Sequence, residues 1–394
     1  MITISDKTIP AQMLAYVLRP AHHGEPINAF KEERVDLPPL GANEVLIKVM
    51  AAGINYNGVW AALGSPYSPT FFHGKNFHIA GSDASGIVWK IGEALDKKTL
   101  HFKEGDHIVL HCGQYCGHCV QCNGGDPMLC PYQKIWGYET PYGSFAEFTV
   151  VKPYQILPKP KELSWAEAAS YTLVLATAWR MLLGHYPHTL RSSQNVLIWG
   201  ASGGIGTMAI QIVKNANANP IAVVSSEERG QFCLQIGAKS FINRNNFDCW
   251  GIMPNVGSSD YLTYMSKVKK FKKAIWDIIG TGNEIDIVIE HVGEKTFPVS
   301  CYIAKKGGLV VYCGATSGFN LSMDAAYGWM HQKRIQGSHF ASTLEAFSAN
   351  ELVCQGKIKP YLGKVYKWQD LPLAHQLMKD NQQLSGCMAV EVSV

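Results

Sequence analysis

Four cysteines, Cys116, Cys119, Cys122 and Cys130, fall within fifteen residues, a spacing at which soft thiolates close around a tetrahedral zinc ion. Gly117, Gly124 and Gly125 between them supply the tight turns that such a lobe needs. Four thiolates leave no open coordination position, so the metal would be structural and would not touch a substrate; four unmetallated thiols are the alternative. Cys112 is a further thiol nearby. The scattered Cys233, Cys249, Cys301, Cys313, Cys354 and Cys387 are expected to be buried as apolar residues.

A second chemical motif follows the run NVLIW: Gly200, Ala201, Ser202, Gly203, Gly204, Ile205 and Gly206. Glycines at such a turn let the backbone approach a pyrophosphate, and the N–H groups and dipole of the following helix favour the anion. A glycine turn alone is weak evidence; the strand before it and the helix after it make it specific for a dinucleotide. Past the next strand the chain reads Val224-Ser225-Ser226-Glu227-Glu228-Arg229. An acid at the strand end would bind a ribose 2′-hydroxyl and repel a 2′-phosphate. Here the hydroxyls of Ser225 and Ser226 and the fork of Arg229 suit the phosphate, with Arg244 as a second candidate and Glu227 and Glu228 turned to solvent. NADPH is the expected cofactor.

Elements of two kinds must position these groups. Up to about residue 160 the chain has short β-type runs broken by Gly and Pro: 44–49, 86–91, 107–110 and 145–151. Closely spaced strands of this kind imply a small, mostly antiparallel, barrel-like domain. Ser164, with Glu167 three residues on, forms a capping box that opens a helical stretch. From Asn195 strands and helices alternate: 195–199, a helix over 208–218, a strand at 220–225, a helix through 238, then strands at 286–290 and 307–313. That alternation implies a doubly wound parallel sheet. Residues 340–394 return to short strands, such as 388–392, expected to pack back onto the first domain.

Composition narrows the function classes. At 394 residues the chain is long enough for two domains, and its 47% hydrophobic and 17% charged content is globular. The net charge of +4 is spread out, and the basic stretch 267–273 reads as a solvated helix face, which argues against a nucleic-acid partner. The start has no basic n-region followed by an apolar core, and the most apolar window, 166–183, holds Glu167 and Arg180. A cytoplasmic protein without membrane contact is expected, a compartment in which eleven cysteines need a reason other than disulfides.

The cysteine lobe followed by the glycine turn resembles zinc-containing medium-chain alcohol dehydrogenases and their zinc-free relatives. In the alcohol dehydrogenases a catalytic metal is held by Cys in G-x-C-H-x-D, by His in G-H-E and by a third ligand before the nucleotide-binding fold. The matching stretches here read Gly53-Ile54-Asn55-Tyr56-Asn57 and Gly81-Ser82-Asp83, and residues 169–173 offer no Cys or His. Asn55 and Ser82 therefore stand where ligands would. Without a metal to polarise an oxygen, reduction of an activated C=C bond is the better expectation.

Idiosyncratic strings over nearly the whole chain are similar to crotonyl-CoA carboxylase/reductases and their enoyl-CoA reductase relatives. They are IWGYETPYGSFAEF at 135–148, residues 171–190 with GHYPHTL, the long insertion 243–279, EHVGEKTFPVS at 290–300 and KRIQGSHFA at 333–341. The resemblance implies hydride transfer from NADPH to the β-carbon of an enoyl-CoA, then attack of the enolate on CO2 to give an alkylmalonyl-CoA. It assigns the CO2 pocket to Asn55, Tyr138, Glu139 and His339, and the border of the nicotinamide to Thr177, Val292, Gly314, Ala315 and Thr316. Bland alternatives are a helix cap for Asn55, a core histidine for His339, a loop hydrogen-bonder for Glu139, and packing or turn roles for the rest. Lys306 and Tyr327 match positions that hold the CoA, whereas Ala326 replaces an arginine of carboxylating relatives, and the zinc lobe is complete here but degenerate in many of them.

The expectation is thus an α/β enzyme. A GroES-like, mostly antiparallel catalytic domain spans 1–170 and 340–394, with the zinc lobe at 112–130, and a Rossmann domain spans 171–339. The substrate is expected in the cleft between them and the assembly as a homodimer or homotetramer. The runner-up is an enoyl-CoA or quinone reductase that delivers a proton in place of CO2. A third class, a dinucleotide-binding regulator, would bind NADPH without turnover.

Overall fold

The computed structural model describes residues 9–392. Backbone contacts divide the chain into two compact units, one of residues up to Ala176 together with those from Ser342 onward, the other Thr177–Ala341. Among the described residues no helix is long and apolar enough to cross a membrane.

In the first unit the strand Val45–Ile54 is the spine of a seven-stranded sheet. Cys387–Glu391 and Ala84–Ile91 run antiparallel on its two sides, and Phe148–Val151 also pairs with its first half. His107–Leu110 and then Ile156–Pro158 extend the sheet beyond Ala84–Ile91. On the opposite edge Leu362–Tyr366 lies parallel to Cys387–Glu391, so the C-terminal segment completes this unit. Phe148–Val151 is shorter than the run expected at 145–151. Phe145 instead uses its carbonyl to accept from the Tyr16 N–H, and Ala146 forms an isolated bridge with Ala15.

Ser164 and Glu167 form the expected capping box, Ser164 Oγ accepting from the Glu167 N–H at 3.2 Å and Glu167 Oε2 from the Ser164 N–H at 2.8 Å. The helix they open, Trp165–Ala169, breaks at Ser170-Tyr171 and restarts as Thr172–Leu183. The break matters because it turns the Leu173 N–H, in the first turn of the second helix, onto a buried carboxylate rather than into the helix ladder.

In the second unit six parallel strands lie in the order Ser240–Asn243, Asn219–Val224, Asn195–Trp199, Ile285–Glu290, Ala304–Tyr312, Arg334–Gly337. The order reverses beside Asn195–Trp199, and ligands of such sheets sit at that switch point, outside the carboxyl ends of the strands. The helix after the glycine turn is Gly204–Asn215, four residues earlier at its start than expected, because the turn runs directly into it. It ends before Asn217, which is left-handed at φ 54°.

The insertion carries a long helix, Ser259–Ile279, whose Val268, Phe271 and Ile275 are buried while Lys269, Lys270 and Lys273 are exposed. The basic run is therefore one face of an amphipathic helix. Phe271 stacks on Trp199 with ring centroids 5.8 Å apart.

One correction concerns the cysteines. Cys354 is exposed at the end of the helix Thr343–Cys354, and Cys313 is only half-buried, because neither position faces the core its neighbours build.

A buried acid organises the second unit. Glu290 ends its strand with no solvent exposure, and burial raises its pKa. Its Oε1 accepts from the N–H groups of Val292 at 2.8 Å and Gly293 at 3.1 Å and from Thr296 Oγ1 at 3.0 Å. Its Oε2 accepts from Ser300 Oγ at 2.6 Å, and that hydroxyl accepts from Trp199 Nε1 at 2.8 Å. Ser300→Ala would orphan both neighbours, at a cost of about 2–3 kcal/mol. Thermal denaturation should show a clear drop in Tm, whereas Ser266→Ala on the exposed helix face should leave it unchanged; equal melting of the two variants would refute the network.

Candidate active site

The glycine turn of the second unit has the shape that a pyrophosphate requires. A Cβ on Gly206 would lie 2.4 Å from the Ala201 Cα, so only glycine lets the helix seat this closely on the turn. Gly203 occupies the N-cap without a side chain to satisfy the first turn, which leaves those N–H groups for an anion. Ala201 and Ser202 are buried beneath them.

At the end of the strand Asn219–Val224, Ser226 caps the helix Glu227–Gln235, its Oγ accepting from the Arg229 N–H at 3.3 Å. Arg229 Nη1 donates to Ser225 Oγ at 3.3 Å, and Asn245 Nδ2 to the Ser225 carbonyl at 2.7 Å. Glu227 and Glu228 are exposed. The Arg244 pKa is depressed by burial and then by the positive Arg229 nearby. Two guanidiniums that repel one another beside two hydroxyls fit a doubly charged phosphate, which would relieve the repulsion.

Val292 and Gly314-Ala315-Thr316 follow the carboxyl ends of adjacent strands and interlock. The Val292 carbonyl accepts from both the Ser317 N–H and Ser317 Oγ at 2.7 Å, and the Thr316 N–H reaches the His291 carbonyl at 3.4 Å. Glu290, which sequence reasoning passed over, fixes this turn from below. Its only sequence signal was an acid ending an apolar strand. Thr177 is buried in the helix Thr172–Leu183. His339 is exposed as a residue, and its imidazole pKa is lowered by desolvation first and by positive Arg180 second.

Lys306 and Tyr327 stand elsewhere in this unit. Lys306 is exposed near the start of the strand Ala304–Tyr312, beside an irregular turn at Gly307 (φ 68°) and at the other end of the strand from Gly314. Tyr327 is stacked between Tyr302, at 5.0 Å, and His331, at 3.9 Å, with Lys333 over its ring at 5.0 Å. It lines a groove with Tyr261, Tyr264, Met265 and Met323.

In the first unit, the loop that carries Tyr138 and Glu139 lies directly on the Gly81-Ser82-Asp83 segment. A Cβ on Gly137 would fall 1.9 Å from the Gly81 carbonyl oxygen, so glycine is required for the approach. Tyr138 donates its hydroxyl to the Tyr67 carbonyl at 3.0 Å, and its ring meets Phe72 and His78. Burial pushes its pKa up to about 12. Glu139 is half-buried, with Oε2 accepting from the Ile135 N–H at 2.6 Å; burial raises its pKa, and Ile135 and Lys134 draw it back. The carboxylate thus pins its own loop, which leaves the other oxygen for a ligand.

Asn55 sits at the N-cap of the helix Tyr56–Leu63, but its side chain makes no capping bond. Its Nδ2 donates to Asp83 Oδ2 at 2.9 Å, and Asn57 Nδ2 donates to Ser82 Oγ at 2.7 Å. Asp83 Oδ1 accepts from the Leu173 N–H at 2.7 Å. Asp83 has no solvent exposure, and burial pushes its pKa up to about 8 against the pull of Asn55, Leu173 and Thr172. The buried Cys112 thiol lies within electrostatic reach of Asp83 and Glu139, which raise its pKa after burial itself. The two positions that match metal ligands therefore carry an amide and a hydroxyl, each tied to a neighbour: Asn55 to Asp83 and Ser82 to Asn57.

The cysteine lobe fits a metal. The sulfurs of Cys116, Cys119, Cys122 and Cys130 all lie within 4.8 Å of one another, with separations of 3.5, 3.6 and 3.9 Å among them. Tetrahedral thiolates at a Zn–S distance of about 2.3 Å are about 3.8 Å apart. The N–H groups of Cys119 and Tyr132 point at the sulfurs of Cys116 and Cys130, at 3.4 Å each, as they would at thiolates.

The alcohol dehydrogenase GroES-like domain family matches residues 41–161, and the zinc-binding dehydrogenase family residues 204–353. A crotonyl-CoA carboxylase/reductase of Cereibacter sphaeroides is 52% identical over 98% of this chain and 88% of its own length. The structure of crotonyl-CoA carboxylase/reductase AntE in complex with NADP is 44% identical, with a TM-score of 0.92 over 98% of this chain and 95% of that one. The structure of 2-octenoyl-CoA carboxylase reductase CinF with NADP and 2-octenoyl-CoA is 34% identical, with a TM-score of 0.88 over 98% and 88%.

The arginine pair gives a direct test. Arg229→Ala and Arg244→Ala should each weaken NADPH binding by roughly tenfold and NADH binding by less than about twofold, since only the 2′-phosphate takes charge-assisted bonds from them. Fluorescence titration with both nucleotides measures this; equal losses for both would place the arginines elsewhere.

Proposed function

The chain belongs to the crotonyl-CoA carboxylase/reductase family, and from that premise we propose that it catalyses NADPH-dependent reductive carboxylation of a short-chain enoyl-CoA. The observation that carries this reading is that Asn55 and Ser82 stand where a catalytic metal would otherwise be held, the Asn55 amide bonded to Asp83 and the Ser82 hydroxyl to the Asn57 amide. Such a set cannot act as a Lewis acid on an alcohol or carbonyl oxygen, but it can offer hydrogen bonds to an uncharged molecule such as CO2. Bound NADPH supplies the hydride, to the β-carbon of the enoyl thioester. The α-carbon of the resulting enolate then bonds to the carbon of CO2, giving an alkylmalonyl-CoA.

The chain's own residues have six tasks. The second N–H of the Asn55 amide and the imidazole of His339 donate to the oxygens of CO2, on which negative charge develops as the new bond forms. The Tyr138 ring walls the site against water, because a proton from solvent would quench the enolate. Glu139 anchors the Tyr138 loop through Ile135 and has an oxygen to hold a bound water or orient a donor. Val292 and Gly314-Ala315-Thr316, fixed by Glu290, border the nicotinamide and set its distance from the β-carbon. Lys306 and the aromatic shelf at Tyr327 hold the CoA portion, a role that suits an exposed cation and stacked rings far from the reacting carbon. The cysteine lobe holds a structural zinc.

Incubating the protein with crotonyl-CoA and NADPH, with and without bicarbonate, and weighing the products tests the reading. Ethylmalonyl-CoA with bicarbonate is expected. Butyryl-CoA under both conditions would leave a simple reductase, and no NADPH oxidation would remove both activities. Asn55→Ala and His339→Ala should lower the carboxylated fraction by roughly tenfold with a smaller effect on hydride transfer. Equal losses of both would refute their assignment to CO2.

A further inference from the structure

We propose that Asp83 is the positioning residue for Asn55: by taking one N–H of the Asn55 carboxamide it fixes the nitrogen end, so that the second N–H, and not the oxygen, is left for the ligand. The inference rests on the carboxylation reading above and adds to it a residue outside the set that contacts substrate.

Two hydrogen bonds converge on the Asp83 carboxyl: Oδ1 accepts from the Leu173 N–H at 2.7 Å and Oδ2 accepts from Asn55 Nδ2 at 2.9 Å. Because Oδ2 acts as an acceptor, Asn55 turns its nitrogen toward Asp83, spending one N–H there and keeping the second for a ligand. The carboxyl is itself immobile. A Cβ on Gly53 would lie 2.7 Å from the Asp83 Cβ and 2.4 Å from the Ala169 carbonyl oxygen, so the strand and the helix Trp165–Ala169 close over it.

A second observation shows that Asn55 gives up a favourable local role. Asparagine is among the preferred N-cap residues because its oxygen accepts from the first helical turn. Asn55 stands at the N-cap of Tyr56–Leu63 with extended backbone, φ −129° and ψ 160°, yet no side-chain cap is made. The carboxamide is held by Asp83 instead, a local sacrifice of the kind expected where function sets the geometry.

The flip matters chemically. The oxygens of CO2 carry partial negative charge, so the arrangement of N–H and C=O around them decides whether Asn55 attracts or repels the molecule. In Asp83→Asn the Leu173 N–H still claims the oxygen of the new carboxamide, whose NH2 is then turned to Asn55. Asn55 must flip to offer its oxygen, so that an oxygen lone pair stands where its second N–H pointed, and the shape of the site is otherwise kept.

The expected result is a roughly tenfold rise in the apparent KM for CO2 and a matching fall in carboxylated product at low bicarbonate, while NADPH oxidation without bicarbonate changes by less than about twofold. A residue that only supports the fold would lower both together. If the wild-type protein carboxylates and Asp83→Asn keeps its KM for CO2 and product ratio, the positioning role is overturned alone. If the wild-type protein yields only the saturated acyl-CoA, the carboxylation reading falls and this inference with it. Should Asp83→Asn fail to fold, neutron diffraction of the unaltered protein decides the matter: two deuterons on the Asn55 atom facing Asp83 support the role, and an oxygen there overturns it.

Discussion

A carboxyl group sealed from water must be met by donors, and how Asp83 is met shapes the candidate site of the first unit. Its two oxygens take an N–H from the restarted helix at Leu173 and the amide of Asn55 at the end of the central strand. Three elements far apart in sequence are thereby tied at one point: the strand Val45–Ile54, the turn leading into Ala84–Ile91, and the break between Trp165–Ala169 and Thr172–Leu183. Leaving any of these donors unmatched at full burial would cost the desolvation of a buried polar group, which makes the arrangement all-or-none. The loop of Tyr138 and Glu139 then packs on the same turn through the contact of Gly137 with Gly81.

The second unit repeats the device in another setting. Glu290 is as deeply buried as Asp83, and its donors come from the turn after its own strand and from Ser300. In both units a buried acid holds a short irregular segment that carries functional residues, while regular strands supply the rigid base. Irregular backbone next to a ligand needs such internal partners, because sheet and helix ladders no longer satisfy it. The two acids sit at strand ends, where residues intended for chemistry are also found.

Much of this was legible in the sequence, for identifiable reasons. The glycine turn and the cysteine lobe are local: their chemistry depends on residues close in the chain, so spacing alone carries the signal. The alternation of strands and helices after Asn195 likewise follows from short-range pattern. The absence of metal ligands at Asn55 and Ser82 could be read only because a motif was there to be compared. What escaped was set by long-range packing. Nothing in Gly81-Ser82-Asp83 says that the acid is sealed, because the seal comes from Gly53, Ala169 and Leu173. Glu290 looked like an ordinary strand terminus. The break in the helical stretch at Ser170-Tyr171 has no local signal either; the buried Tyr171 hydroxyl there donates to Asn350, 179 residues on. Cys354 was placed inside by its residue type, but the face of the helix Thr343–Cys354 on which it lies is exposed.

The proposed chemistry at Asn55 needs no metal, and the cysteine lobe is the proposed seat of a single structural zinc. Zinc content together with X-ray absorption of the active, purified protein tests this most directly. A single zinc per chain in an all-sulfur shell at about 2.3 Å is predicted. A zinc ion with nitrogen or oxygen ligands, whose removal abolishes turnover while the sulfur-bound ion stays, would contradict it.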